Sequence, residues 1–302
     1  MAETMVYKGT KPEDRFTFEE NFDIDWWLAW TTQYKLWSIP ISALYILLVF
    51  SGRRWMENRP AYRLKGLLIL WNVLLGGFSI FGAWRTVPVL TKGVMENGWR
   101  SSVCNGYYYH KDFVGIWGLL FTLSKVPELG DTFFIVVRKQ KLMLLHWYHH
   151  ATVPLFVFAV YSDRAAPGMW FTAMNYVVHG LMYPYFGLRA AGFKLPRVAA
   201  MSITSLQIVQ MIMGTVVVVY AAIMHYVGVP CEIDSGVLVL SVSLYFSYLI
   251  LFAQFFHKAY FGAKPAGAKP VKSDISNGNV LSNGGKSQQV NTNTDNGVHR
   301  RK

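Results

Sequence analysis

Seven apolar stretches, each close to the ~20 residues that carry a helix across a bilayer, dominate this chain of 302 residues. They run approximately Tyr34–Ser51, Leu67–Leu90, Phe113–Val137, Leu142–Tyr161, Met169–Leu188, Ala199–Val227 and Gly236–Phe261. Composition agrees with a bilayer as solvent. Charged residues are 15% of the chain and apolar ones 53%, whereas a soluble domain carries about 25% charged residues. So few charges cannot cover a water-exposed globule of this length, and the long apolar runs exclude intrinsic disorder. The expected fold is an all-α integral membrane protein with seven transmembrane helices. Residues 1–33 form a polar leading segment in which no secretory signal is visible. Residues 34–261 form the seven-helix domain. Residues 262–302, rich in Gly, Asn, Ser, Lys and Gln and without an aromatic residue, read as a disordered tail.

The distribution of charge sets an orientation. The first, third and fifth loops and the C-terminal segment from Lys258 together hold 19 Lys and Arg. The N-terminal segment through Lys35 and the second, fourth and sixth loops hold 8, and Arg85 and Lys125 lie inside spans. The positive-inside rule then places the N-terminus in the lumen and the tail in the cytosol. The net charge of +12 suits anionic lipid or an anionic substrate. Nothing resembles a zinc finger, an RNA-recognition motif or a basic stripe on a soluble face, so no nucleic acid is expected as a partner. Cys104 and Cys231 fall in the second and sixth loops, both on the luminal side where oxidation is permitted. A disulfide between them is expected.

Ionisable side chains at membrane depth are costly and mark function by default. The third span contains Lys125, Glu128, Asp131 and Thr132, which share one side of a helix at 100° per residue. Pro127 and Gly130 weaken the helix at the same place, and Lys125 is expected to neutralise Glu128. The fourth span opens with His146, His149 and His150, whose i, i+3, i+4 spacing puts three imidazoles on one face. The fifth span carries Asn175, His179 and Tyr183, and the sixth Thr204, Gln207 and Gln210. Counted from the span ends at 1.5 Å per residue, Asp131, His149, His179 and Gln207 all lie roughly 9–14 Å below the cytosolic face. Four helices thus bring polar groups to one layer. Beyond it the sequence turns apolar, Thr215–Tyr220 on the sixth span and Pro154–Phe158 on the fourth. A polar chamber above a hollow apolar tube is the expectation, suited to a substrate with a charged head and a greasy tail.

Three chemistries fit these residues. The imidazoles suit a metal, as in membrane desaturases and hydroxylases with an HxxHH box, but such di-iron sites need about eight ligands. This chain has 8 His, and His110, His225, His257 and His299 lie away from the layer, leaving four. Covalent acyl transfer is the second: an imidazole attacks a thioester and holds the acyl group, a second His or a carboxylate moves protons, and amides steady a developing oxyanion. A receptor or transporter without chemistry is the third, disfavoured by three clustered imidazoles and by the lack of an inverted repeat.

Four segments then carry a family resemblance: Lys125-Val-Pro-Glu-Leu-Gly-Asp-Thr132, His146-Trp-Tyr-His-His150, Asn175-Tyr-Val-Val-His-Gly-Leu-Met-Tyr183 and Thr204-Ser-Leu-Gln-Ile-Val-Gln210. In order and placement they resemble the four motifs of the ELO family of fatty-acid elongases, over about Trp30 to Phe261. The closest likeness is to the sub-family acting on saturated and monounsaturated long-chain acyl groups. The resemblance implies an acyltransferase, a very-long-chain 3-oxoacyl-CoA synthase of the endoplasmic reticulum membrane. It would condense acyl-CoA with malonyl-CoA and release CO2 and CoA, with no cofactor and no metal. By position His149 would accept the acyl group, with His179 as its partner. Asp131, Glu128, Lys125, His146, His150 and Asn175 would orient groups or move protons. Tyr183, Thr204, Gln207 and Gln210 would line the substrate site. Arg138, Lys139, Lys141, Arg189, Lys194 and Arg197 stand near the mouth as candidates for CoA phosphates. Membrane lipid, a second copy of the chain, and the reductases and dehydratase of the elongation cycle are candidate partners.

Overall fold

The computed structural model describes residues 15–106 and 113–261, and every regular element among them is helical. The tail expected over 262–302 lies outside the described residues, as do residues 1–14 of the leading segment. A single turn, α1 (Thr17–Glu20), precedes α2 (Ile24–Tyr34). Long helices then alternate in direction: α3 (Ser38–Met56), α4 (Lys65–Cys104), the pair α5 (Val114–Glu128) and α6 (Gly130–Val137), α7 (Leu144–Ser162), α8 (Gly168–Ala191), α9 (Arg197–Tyr226) and α10 (Ser235–Phe256). Among the described residues, four stretches are long and apolar enough to cross a membrane by length and composition: Ile24–Met56, Lys65–Cys104, Arg197–Tyr226 and Ser235–Phe261. Of the remaining helices, α5 and α6, with 15 and 8 residues, are too short to meet that length because the chain breaks between them, and α7 and α8 carry the imidazoles of the polar layer.

Close approach of α4 and α8 builds the centre of the bundle. A Cβ on Gly82 would overlap the Tyr176 ring, and one on Gly180 would stand 3.2 Å from Ile80 Cγ1. Small residues let membrane helices meet backbone to backbone, where dispersion replaces the missing hydrophobic drive. Tyr176 continues past α4 and donates to the Trp117 carbonyl on α5 at 3.0 Å. The two ends of the bundle are also tied. At one end Tyr62 N–H donates to the Val137 carbonyl at 3.0 Å. At the other, Cys104 and Cys231 form a disulfide, and the neighbouring Glu232 bonds through its backbone to both Cys104 and Ala166. Lys35 meets Asp163 at 2.7 Å on that same end.

Two features differ from the sequence reading or extend it. The segment expected to be a hollow apolar tube is filled. Val217 and Val218 are fully buried, and the rings of Phe156, Phe171 and Tyr245 lie 4.9–5.9 Å apart between α7, α8 and α10. Side chains of this size pack against one another when nothing else occupies the space, because an apolar void forfeits dispersion contacts. Arg85, an isolated charge within the second span, has its partner in α1. The Glu19 carboxylate accepts Arg85 Nε at 2.9 Å and Nη2 at 2.7 Å, together with Trp117 Nε1 at 2.7 Å.

Candidate active site

The break between α5 and α6 places the first functional groups. Pro127 has no N–H to give, and the chain tightens through i→i−3 bonds from Leu129 to Val126 and from Thr132 to Leu129. Lys125 and Glu128, each 4% exposed, stay in the helical interior. Lys125 Nζ donates to Glu128 Oε1 at 2.6 Å and to Asn175 Oδ1 at 2.9 Å. Glu128 Oε1 also accepts from Ser124 at 3.0 Å. The pair is self-neutralised, as charges at this depth must be.

That network fixes the neighbouring imidazole. With Asn175 Oδ1 committed to the lysine, its amide nitrogen faces His179 Nε2 at 3.1 Å and donates. Nε2 is therefore an acceptor, and the ring proton sits on Nδ1. Nδ1 lies 3.7 Å from Glu128 Oε2 and has no hydrogen-bond partner.

Asp131 is held by two donors from outside its own helix. Trp71 Nε1 on α4 donates to Oδ1 at 2.6 Å, and Tyr183 OH on α8 donates to Oδ2 at 2.9 Å. The indole reaches so close because residue 130 is a glycine: a Cβ there would stand 2.9 Å from the Trp71 ring. Thr132, one residue on, bonds His146 Nε2 and Tyr45 OH, each at 2.9 Å. His146 in turn lies against His150, with ring centroids 4.3 Å apart.

These groups surround one cavity of about 260 Å³. Asp131, His146, His149 and His150 line it from α6 and α7, and Asn175, His179 and Tyr183 from α8. Thr204, Gln207 and Gln210 contribute from α9. Gln207 Nε2 is 3.2 Å from Met182 Sδ, and Thr204 Oγ1 is 3.3 Å from Tyr260 OH. Lys141 and Arg197 line the end nearest the loops. His149, like His150, has ring contacts only. Its ring touches His150 at 5.5 Å and Tyr248 at 5.0 Å, whereas His146 and His179 each hold a hydrogen bond from a fixed side chain.

Several candidates lie elsewhere. Lys125 and Glu128 stand behind the cavity wall. Arg138, Lys139, Arg189 and Lys194 do not line it. Lys139 takes a left-handed backbone conformation (φ 55°) at the end of α6. Its Nζ donates to the Glu57 carbonyl at 3.0 Å, turning it toward a second cavity with Arg53 and Arg54. Arg138 is partly buried, which lowers its guanidinium below the ordinary arginine range. Lys194 is exposed on the loop after α8. Conversely, Tyr45, Trp71 and Tyr248 reach the site unannounced. Aromatic residues within apolar spans read as core, and only helix packing brings them to the polar layer. Among the described residues no three His, Cys, Asp or Glu side chains converge as a metal site.

Each of the four motif segments contributes to the wall of one cavity, and the chain as a whole is similar to known proteins. Residues 30–268 match the GNS1/SUR4 (ELO) family. Over 249 residues the chain is 43% identical to a human protein named very long chain fatty acid elongase 6, covering 82% of this chain and 93% of that one. A Drosophila melanogaster protein of the same name is 41% identical over 278 residues, 91% of this chain and 88% of that one. Mouse very long chain fatty acid elongase 3 is 40% identical over 244 residues, 80% of this chain and 88% of its own length. With a family match across most of its length and relatives at this identity over nearly their whole sequences, the chain belongs to the GNS1/SUR4 (ELO) family.

Proposed function

We propose that this protein is a fatty-acid elongase of the endoplasmic reticulum membrane. It condenses a long-chain acyl-CoA with malonyl-CoA to a 3-oxoacyl-CoA two carbons longer, through an acyl-imidazole on His149. The observation that carries the reading is the contrast among the imidazoles lining one cavity: His146 and His179 are tied to positioning side chains, His149 and His150 make only ring contacts, and of these two His149 holds the middle position of the box. Its lone pair is available to a thioester carbonyl.

The reaction proceeds in two halves. His149 attacks the thioester carbonyl carbon, the C–S bond breaks, and CoA leaves with the imidazole proton. Malonyl-CoA then enters and loses CO2. The resulting enolate carbon attacks the acyl carbon, the C–N bond breaks, and the departing imidazole takes up a proton from solvent by way of the partner imidazole, which restores neutral His149. Burial of the cavity protects the acyl-imidazole from water. His179, neutral and oriented by Asn175, is the partner imidazole. Asp131, locked by Trp71 and Tyr183, fixes the wall opposite. Gln207 and Gln210 supply amides for the developing oxyanion. Lys141 and Arg197 at the mouth suit CoA phosphates. The 3-oxo product calls for reductases and a dehydratase to complete the cycle.

The alternating helices and the charge asymmetry support seven spans with the N-terminus luminal, residues 34–261 as the catalytic domain and the tail cytosolic. That orientation opens the loop-end mouth to the cytosol, where CoA esters reside. Purified protein given a saturated long-chain acyl-CoA and labelled malonyl-CoA should form labelled 3-oxoacyl-CoA and release CO2. Turnover that requires added iron and oxygen instead would refute the reading in favour of a metal-dependent desaturase or hydroxylase, which the family match already disfavours.

A further inference from the structure

The second cavity, of about 580 Å³, lies where the last turn of α3 meets the end of α6, and it shares no lining residue with the imidazole cavity. Arg53 and Arg54 line it from α3, and Lys139 from just beyond α6. Among the described residues no carboxylate pairs with any of the three. Lys139 stands there through the way α6 ends. Its N–H donates to the Val136 carbonyl and that of Gln140 to the Ile135 carbonyl, with Lys139 left-handed between them. Glycine usually takes that position, so a lysine accepts a steric cost and sets a cation on the cavity. Two acceptors share the space. Gln140 Nε2 donates to the Arg138 carbonyl at 3.1 Å, which leaves its amide oxygen to accept beside the Glu57 carboxylate. Phe50, Val136 and Leu142 add apolar wall. Phe50 is exposed, as is Trp55, over whose ring the Arg59 guanidinium lies at 3.9 Å. Tryptophan and arginine at the end of an apolar span mark the level of lipid headgroups.

We infer that this cavity binds a glycerophospholipid whose phosphate carries a polyol, of the phosphatidylinositol class. The phosphate meets Arg53, Arg54 and Lys139. The polyol hydroxyls donate to Glu57 and Gln140, and the acyl chains run along Phe50 and Leu142. Charge and shape both favour this occupant. A bare phosphate leaves most of the volume empty and gains nothing from the two acceptors, while a zwitterionic headgroup brings no net charge to three cations. Basic pockets between membrane helices at headgroup depth take anionic headgroups of this kind, and the volume is within the ~300–1,000 Å³ of small-molecule sites. The proposed orientation enters only in naming the leaflet, the cytosolic one, and the elongase reading does not enter.

The test is displacement. Full-length protein in non-ionic detergent is loaded with radiolabelled phosphatidylinositol, and unlabelled competitors are titrated in. Phosphatidylinositol should displace the label at least tenfold better than phosphatidylcholine, which has no net charge, or phosphatidic acid, which has no polyol. Inorganic phosphate and CoA should leave the label bound. Arg53→Gln with Arg54→Gln should weaken binding roughly thirtyfold, the share of two cations near a headgroup. Arg189→Gln with Lys194→Gln removes the same charge outside the cavity and should leave binding unchanged. Glu57→Ala should erase the preference for phosphatidylinositol over phosphatidic acid. If the arginine pair does not accumulate, Lys139→Gln should weaken binding about fivefold in its place. Equal weakening by the two double variants, or none by either, overturns the site. Displacement by CoA or inorganic phosphate as readily as by the lipid overturns the lipid as its occupant, and equal displacement by phosphatidic acid overturns the polyol.

Discussion

An imidazole that attacks a thioester needs a free lone pair, and its neighbours need to be fixed so that geometry is not lost on each turnover. Three of the four cavity histidines fall into place on that basis. His146 is bound by Thr132 and His179 by Asn175, while His149 meets only the rings of His150 and Tyr248. His149→Ala should abolish condensation, with elution and helical circular dichroism like wild type. The Asp131 clamp makes a second residue-scale prediction. Trp71→Phe removes the indole donor, and Gly130→Ala pushes the ring off the carboxylate by steric contact. Each should lower the condensation rate by about a hundredfold through misplacement of the site. Because both act on one contact, the double variant should be little worse than either single one. Additive losses in a steady-state assay would show that Trp71 and Gly130 serve separate purposes.

At the scale of elements, legibility tracked sequence distance. The imidazoles at 146, 149 and 150 and the Asn175–His179 pair sit one helical turn apart, so helix periodicity alone exposes them. Lys125 and Glu128 pair at i, i+3 for the same reason. Tyr45 meets Thr132 across 87 residues, and Trp71 meets Asp131 across 60. No local pattern encodes those pairings; they follow from how α3 and α4 pack on α6. The filled tube was missed for a related reason: a valine-rich face reads alike whether it borders a void or the Tyr245 ring. Arg85 was visible as an anomaly, but its partner on α1 was not. That ion pair is testable. Glu19 is 3% exposed and holds the guanidinium through two bonds. Glu19→Gln should destabilise the protein by about 3–5 kcal/mol, since it breaks a buried ion pair from one side. Replacing Glu19 and Arg85 together by Met should cost much less. Thermal unfolding in detergent measures both, and equal losses would mean that the pairing contributes little beyond packing.

For the whole molecule, one orientation has to serve both the charge pattern and the chemistry. The proposed elongation requires the mouth that Lys141 and Arg197 line to face the side where CoA esters reside, and the Cys104–Cys231 disulfide the oxidising side. The sequence has 2 Cys, both in that bridge, so an introduced cysteine reports alone. In intact microsomes an impermeant maleimide should label Lys139→Cys directly and Arg164→Cys only after permeabilisation. The opposite pattern would invert the topology and separate the mouth from its substrates. In the proposed function, chain topology, cavity and imidazole meet in a single chemical event, transfer of the acyl group to His149. The most direct measurement is peptide mapping by mass spectrometry after purified protein is incubated with a long-chain acyl-CoA alone. An acyl group should appear on the peptide containing His149, be lost when malonyl-CoA is added, and be missing from His149→Ala. Unmodified His149 in a preparation that goes on to form 3-oxoacyl-CoA, or acylation of a different residue, would contradict the covalent route.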